Sequence, residues 1–268
     1  MKTLVVVPGY NELSQGLHHL IDGRSGVPGL AQRGYDCVFF DEHRDDLDQR
    51  VDKLRDFVVK LKGERPEASP LATLGYSAGG IVVRALVRKY PELSEIVTHT
   101  IQLGAPNWGF AVGWLPELAL LGRFSDKGLP ELDIRSAFMH RLNGTGGHWV
   151  RRGRWKFWQL DAPPVVGPQS SAILSIFGQV PKYGDDNDGI VWCDSAALGG
   201  GIRFHAIRDD DANHLNLVGL YHIATRIVKG FIANDRIWPR VLDAATRFIE
   251  TGESGPNPES AAAVRPLG

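Results

Sequence analysis

A serine, an aspartate and a histidine follow one another in this chain in the order in which a nucleophile, an orienting carboxylate and a base could act together. Ser77 lies at the centre of Gly75-Tyr76-Ser77-Ala78-Gly79. The apolar run Leu71–Leu74 before it reads as a short buried strand, and Ile81–Val87 after it reads as a helix. G-x-S-x-G between a strand and a helix predicts a nucleophile elbow: a turn so tight that the serine takes a strained backbone and its neighbours must be small. Gly75 and Gly79 leave room for helix and strand to approach. The hydroxyl is expected at the carboxyl end of the strand. The Ala78 amide, at the helix N-terminus, is placed to donate to an oxyanion.

An acyl-transfer serine needs a base to take its proton, a carboxylate to orient the base, and donors for the oxyanion. With this kind of elbow the acid and then the base follow the serine in the chain. Asp185, Asp186 and Asp188 compete as the acid in the segment Tyr183 to Val191, after the strand-like run Ala172–Phe177. Asp188, backed by Gly189 and Ile190-Val191, is the best placed. An acidic surface turn is the plainer alternative, and a faint likeness to a calcium loop fails for want of its closing glutamate. For the base, His214 follows the last strand-like run, Ile202–Ile207, whereas His205 falls inside that run, as a structural histidine would. The second oxyanion donor is sought in Val7-Pro8-Gly9-Tyr10-Asn11. Gly9 lets the chain turn so that the Tyr10 amide faces the pocket, although an ordinary strand-ending turn has the same geometry.

These residues need a frame. Six strand-like runs occur: Thr3–Val7, Asp36–Phe40, Leu71–Leu74, Val97–Leu103, Ala172–Phe177 and Ile202–Ile207. Most are continuously apolar rather than alternating, which marks a parallel sheet covered on both faces. Between them Leu47, Val51, Leu54, Phe57, Val58 and Leu61 recur at helical spacing with charges opposite. Leu215 to Val228 and Ile237 to Ile249 do the same. Strand and helix in alternation predict a doubly wound α/β fold. Residues 107–168 break the rhythm and read as a cap or lid inserted over the sheet's carboxyl edge, with the core in 1–106 and 169–250. An ordinary excursion with two helices and a hairpin is the alternative. The tail 251–268, rich in Gly, Pro, Ser and Ala, is expected to be loosely attached.

Composition narrows the partners. The 268 residues are 43% apolar, enough for a sizeable core, and the formal net charge of −1 offers nucleic acid no electrostatic footing. Cys37 and Cys193 have no metal-ligand spacing; two buried free thiols are expected, with a disulfide between them as the alternative. Only four apolar residues, Leu4 to Val7, precede Pro8, far short of the roughly 7–15 of a signal segment. No run approaches the roughly 20 residues of a membrane span. The expectation is a soluble, cytoplasmic protein.

The chain resembles the α/β-hydrolase superfamily and, within it, the lipase-like serine esterases. Leu4-Val5-Val6-Val7-Pro8-Gly9-Tyr10-Asn11 looks like the strand and oxyanion loop of lipases, with Pro8 where histidine is usual. Gly75 to Gly80 matches the elbow. Leu103-Gly104-Ala105-Pro106-Asn107-Trp108-Gly109 is similar to the family's G-T-P-H-x-G segment, with Asn107 at the histidine. Leu132 to Phe138, then Leu142-Asn143, looks like the stretch ahead of the acid strand. The resemblance spans roughly residues 3 to 230. It implies Ser77, Asp188 and His214 as a triad, the Tyr10 and Ala78 amides as oxyanion hole, and ester hydrolysis without cofactor or metal. The tryptophans, Trp108 and Trp114 above all, suggest a hydrophobic pocket for a small-molecule or lipid ester. Arg151 to Lys156 could touch an anionic surface or substrate, or form a solvated hairpin, and transient contact with a lipid surface goes with the lipase-like resemblance. An acyltransferase would use the same triad, and a non-catalytic binding module would use none of it.

Overall fold

The computed structural model describes residues 2–9, 15–23, 26–42, 46–68, 70–109, 130–152, 155–162, 172–178, 191, 195–196, 204–209, 212, 214, 217 and 237–253. Its strands are β1 (Lys2–Val7), β2 (Tyr35–Phe39), β3 (Leu71–Tyr76), β4 (Val97–Leu103), β5 (Gly147–Arg152), β6 (Trp155–Leu160), β7 (Ala172–Gly178) and β8 (Phe204–Asp209). Its helices are α1 (Gln15–Asp22), α2 (Leu47–Glu64), α3 (Ala78–Lys89), α4 (Ala137–Asn143) and α5 (Ile237–Thr251). Six strands form one sheet in the order β2-β1-β3-β4-β7-β8, and every neighbouring pair is parallel.

Continuous apolar strands make sense because both faces are covered. In β1, Leu4 and Val6 point to one face and Val5 and Val7 to the other, as the two-residue period of a strand requires. The first face packs on α1 and α5, through Leu17, Leu20, Trp238, Val241 and Phe248. The second packs on α2, α3 and α4, through Leu47, Val51, Leu54, Ile81, Val82 and Met139. The expected stripe on α2 is buried apart from Phe57, which lies at its margin, and it contains one member the apolar spacing does not foresee, Arg50.

β1 sits beside both β2 and β3, so the chain moves outward from β1 to β2 and then returns to its other side. Such a switch point leaves a crevice at the carboxyl ends of the two central strands. The residues ending β1 and β3 are Val7-Pro8-Gly9 and Tyr76-Ser77, so the fold brings the expected oxyanion loop to the expected nucleophile.

Several boundaries differ from expectation. β3 continues two residues further, through Tyr76, because the strand keeps pairing with β4 up to Leu103. β8 runs two residues past the expected end, through Asp209, and the expected start at 202–203 lies outside the described residues. Within 107–168, β5 and β6 form a separate antiparallel hairpin in which Trp149 stands opposite Trp158 and Arg151 opposite Lys156. Leu132, Phe138, Met139 and Leu142, from the same stretch, lie in the core beneath α2 and α3. Cys37 is a free thiol, half-buried rather than fully buried. The expected helix at 215–228, apart from the buried Leu217, lies outside the described residues, as do Cys193 and the tail beyond Glu253. Among the described residues no helix is long and apolar enough to cross a membrane.

Candidate active site

Ser77 has φ 52° and ψ −120°, and it is the one non-glycine residue with positive φ among those described. A side chain in that region costs about 1–3 kcal/mol and persists only where the surroundings enforce it. The enforcement is visible. The Ser77 amide donates to the Leu103 carbonyl at the end of β4, 2.8 Å away. On either side of the serine the backbone runs so close that no Cβ fits: on Gly75 it would lie 2.4 Å from the Gly79 carbonyl oxygen, and on Gly79 2.2 Å from that of Val7. The expected tight strand–turn–helix, with its strained serine and close-packed glycines, is therefore present.

Serine at a helix N-terminus ordinarily turns its hydroxyl inward to cap the first amides. Ser77 makes no such side-chain hydrogen bond, so its Oγ is not spent on capping. Of the first amides of α3, that of Gly80 donates to the Ser77 carbonyl at 3.0 Å, while those of the buried Ala78 and of Gly79 have no acceptor within their own helix. Together with the helix dipole they make the site electropositive.

The loop after β1 lies directly against this turn. A Cβ on Gly9 would stand 3.1 Å from the Tyr76 carbonyl oxygen and 3.2 Å from Ser77 Cβ. Arg50 secures the loop from behind: fully buried, it donates Nη2 to the Pro8 carbonyl at 2.9 Å and Nε to the Glu42 carbonyl at 3.0 Å. A charged residue three positions after Leu47 and four before Leu54, on the apolar stripe of α2, is the signal in the sequence for such an anchor.

His214 is fully buried, with Nε2 enclosed. It reaches the centre of the sheet from the far edge. After β8 the chain crosses the end of β7 at Gly178, where a Cβ would meet the Ala212 carbonyl oxygen at 2.2 Å. His214 then packs its ring on Tyr76, with centroids 5.1 Å apart and planes tilted by 38°. The residue preceding Ser77 thus touches the candidate base. His205 lies within β8, paired with Leu174, as expected of the rival histidine.

Asn107 is a structural residue. Fully buried, it forms a reciprocal amide pair with Gln102 at 3.0 and 3.1 Å, and its Nδ2 also donates to the Ala196 carbonyl at 3.0 Å. Gln102 in turn donates to the Gly80 carbonyl, and the Trp108 amide donates to Ser195 Oγ. This network ties the loop after β4 to the start of α3 and to residues 195–196. Arg84, buried in α3, supports the same loop by donating to the Asn107 carbonyl at 3.0 Å. Burial, with Arg88 nearby, pushes its guanidinium down to about 9. Trp108 is half-buried beside this network. Asp185, Asp186, Asp188, Tyr10 and Trp114 lie outside the described residues. Among the described residues no group of three or more side chains could hold a metal ion.

No protein-family model matches the sequence, and no curated protein matches it. Solved structures do. A metagenomic carboxyl esterase superimposes with a TM-score of 0.60 at 18% identity, covering 94% of this chain and 76% of its own. A lipase of Bacillus licheniformis in its mature form superimposes with a TM-score of 0.55 at 15% identity, covering 84% of this chain and 91% of its own. A gene product of Listeria innocua reaches 0.51 at 13% identity, with 94% of each chain covered. The parallel sheet, the elbow after β3 and these likenesses agree: the chain has the α/β-hydrolase fold, which it shares with lipases and esterases.

Proposed function

We propose that this chain hydrolyses carboxylic esters through an acyl-enzyme on Ser77. One observation carries the reading: Ser77 is held at φ 52° in a turn that excludes any Cβ on its flanking glycines, with its hydroxyl withheld from capping α3. Backbone strain of this kind clusters at active sites and ligand clamps. The lipase and the carboxyl esterase that share the fold support the same chemistry.

In this reading His214 takes the Ser77 proton as Oγ attacks the ester carbonyl. The carbonyl oxygen becomes the oxyanion, held by the Ala78 and Tyr10 amides. His214 then gives the proton to the leaving alkoxide, and the alcohol departs. Water, deprotonated by the same imidazole, splits the acyl-enzyme and releases the acid. Asp188 orients the imidazole and stabilises its charge. Trp108 and Trp114 line the acyl pocket, residues 107–168 cover it, and the substrate is a small-molecule or lipid ester.

Reaction of the pure protein with a fluorophosphonate probe, followed by p-nitrophenyl esters from acetate to palmitate, tests this. Wild type should be labelled and should turn over one range of acyl lengths, whereas Ser77→Ala should do neither, a loss of about 10⁴-fold or more. A folded wild type that resists the probe, or a Ser77→Ala protein that still hydrolyses the ester, overturns the reading.

A further inference from the structure

We propose that Tyr76, the residue preceding the nucleophile, positions the His214 imidazole; the inference rests on the assignment of Ser77 and His214 made above. Tyr76 is completely buried, and its hydroxyl donates to the His214 backbone carbonyl at 3.2 Å. Its ring packs on the imidazole with centroids 5.1 Å apart. The same ring backs the loop after β1, its Cδ1 lying 3.5 Å from where a Gly9 Cβ would be. One side chain therefore joins three parts of the site: the nucleophile turn, into which its own peptide runs, the loop after β1, and the base.

The need for such an anchor follows from the topology. His214 arrives from the far edge of the sheet, beyond β7 and β8, on a segment that touches the sheet where Ala212 crosses Gly178. A base acts only within about 2.6–3.2 Å of the proton it takes, and a displacement of about 1 Å costs on the order of 100-fold in rate. A buried tyrosine hydroxyl must find an acceptor. By taking the carbonyl of the base residue itself, it fixes that residue's main chain, while the ring limits the tilt of the imidazole. Because Tyr76 adjoins Ser77 in the chain, the distance between base and nucleophile is set through very few bonds and contacts.

Tyr76→Phe keeps the ring and removes the hydroxyl, and it is compared with wild type, Ser77→Ala and His214→Ala. The expected result is a fall in kcat on p-nitrophenyl butyrate of about fivefold or more, the worth of one net hydrogen bond. KM should stay within about twofold, because the pocket walls are untouched, and fluorophosphonate labelling should slow in parallel with kcat. A merely structural hydroxyl would lower the melting temperature and leave the kcat of the folded fraction alone. Wild-type kcat in a folded Tyr76→Phe protein, or a Tyr76→Phe protein that fails to fold, overturns the positioning role. If the probe labels wild type and His214→Ala is silent while Tyr76→Phe is normal, the positioning role alone fails. If His214→Ala keeps wild-type turnover, the assignment of the base fails and takes the inference with it.

Discussion

The strain at Ser77 can be measured without reference to catalysis. Ser77→Ala removes the hydroxyl but leaves a Cβ on a residue at φ 52° and ψ −120°. Ser77→Gly removes both, and glycine occupies that region without steric cost. The difference between the two variants isolates the strain. Holding a non-glycine residue there costs about 1–3 kcal/mol, from which glycine's greater freedom in the unfolded chain takes back about 0.4–1 kcal/mol. Ser77→Gly should therefore be more stable than Ser77→Ala by about 1.3 kcal/mol at the middle of these ranges, and by about 0–2.6 kcal/mol across them. For a chain of this size each kcal/mol corresponds to roughly 2–4 °C in Tm. Urea denaturation followed by circular dichroism, with thermal melts alongside, gives the comparison directly. A Ser77→Gly protein that is no more stable than Ser77→Ala would mean that the turn stores no strain, and the argument that it is kept for chemistry would lose its basis.

Other outcomes follow from the same contacts. Gly178→Ala would drive a Cβ to 2.2 Å from the Ala212 carbonyl oxygen. The segment leading to His214 must shift, so kcat should fall about tenfold or more with a stability loss of about 1–3 kcal/mol; steady-state kinetics with a parallel melt would show either result. Arg50→Met leaves the Pro8 and Glu42 carbonyls without their donor and should cost about 2–4 kcal/mol in urea denaturation. Wild-type stability there would show that water replaces the guanidinium. Cys37 is pushed up to about 12, first by burial and then by the nearby Asp36 and Asp22. A raised value keeps the thiol protonated throughout the neutral and mildly alkaline range, so iodoacetamide at pH 8 should leave Cys37 unmodified in the folded protein and alkylate it in urea. Peptide mass spectrometry distinguishes it from Cys193.

The features legible in the sequence were those that depend on near neighbours. Alternation of apolar runs and helical stripes places the strands and helices because a sheet covered on both faces needs apolar residues at successive positions. G-x-S-x-G announces the elbow because the two glycines and the serine act within one turn, and the structure answers with φ 52° at Ser77 and no room for a Cβ on either side. Tertiary structure decided what depends on residues far apart in the chain. Arg50 reads as a charge interrupting the stripe on α2, and only the approach of β1 gives it the Pro8 carbonyl to hold. Asn107 reads as the counterpart of a site histidine, yet the neighbouring Gln102 and the distant Ala196 make it a buried bracket. Gly178 carries no local signal, because its neighbour Ala212 lies 34 residues further along the chain, just past the end of the adjacent strand β8. Tyr76 reads as the variable position of a motif, and it meets His214 only because the sheet order carries the chain back across the carboxyl ends of the strands. Spacing along the chain determines an element and a turn. The meeting of groups more than a hundred residues apart is determined by the order of strands and by the room left where they cross.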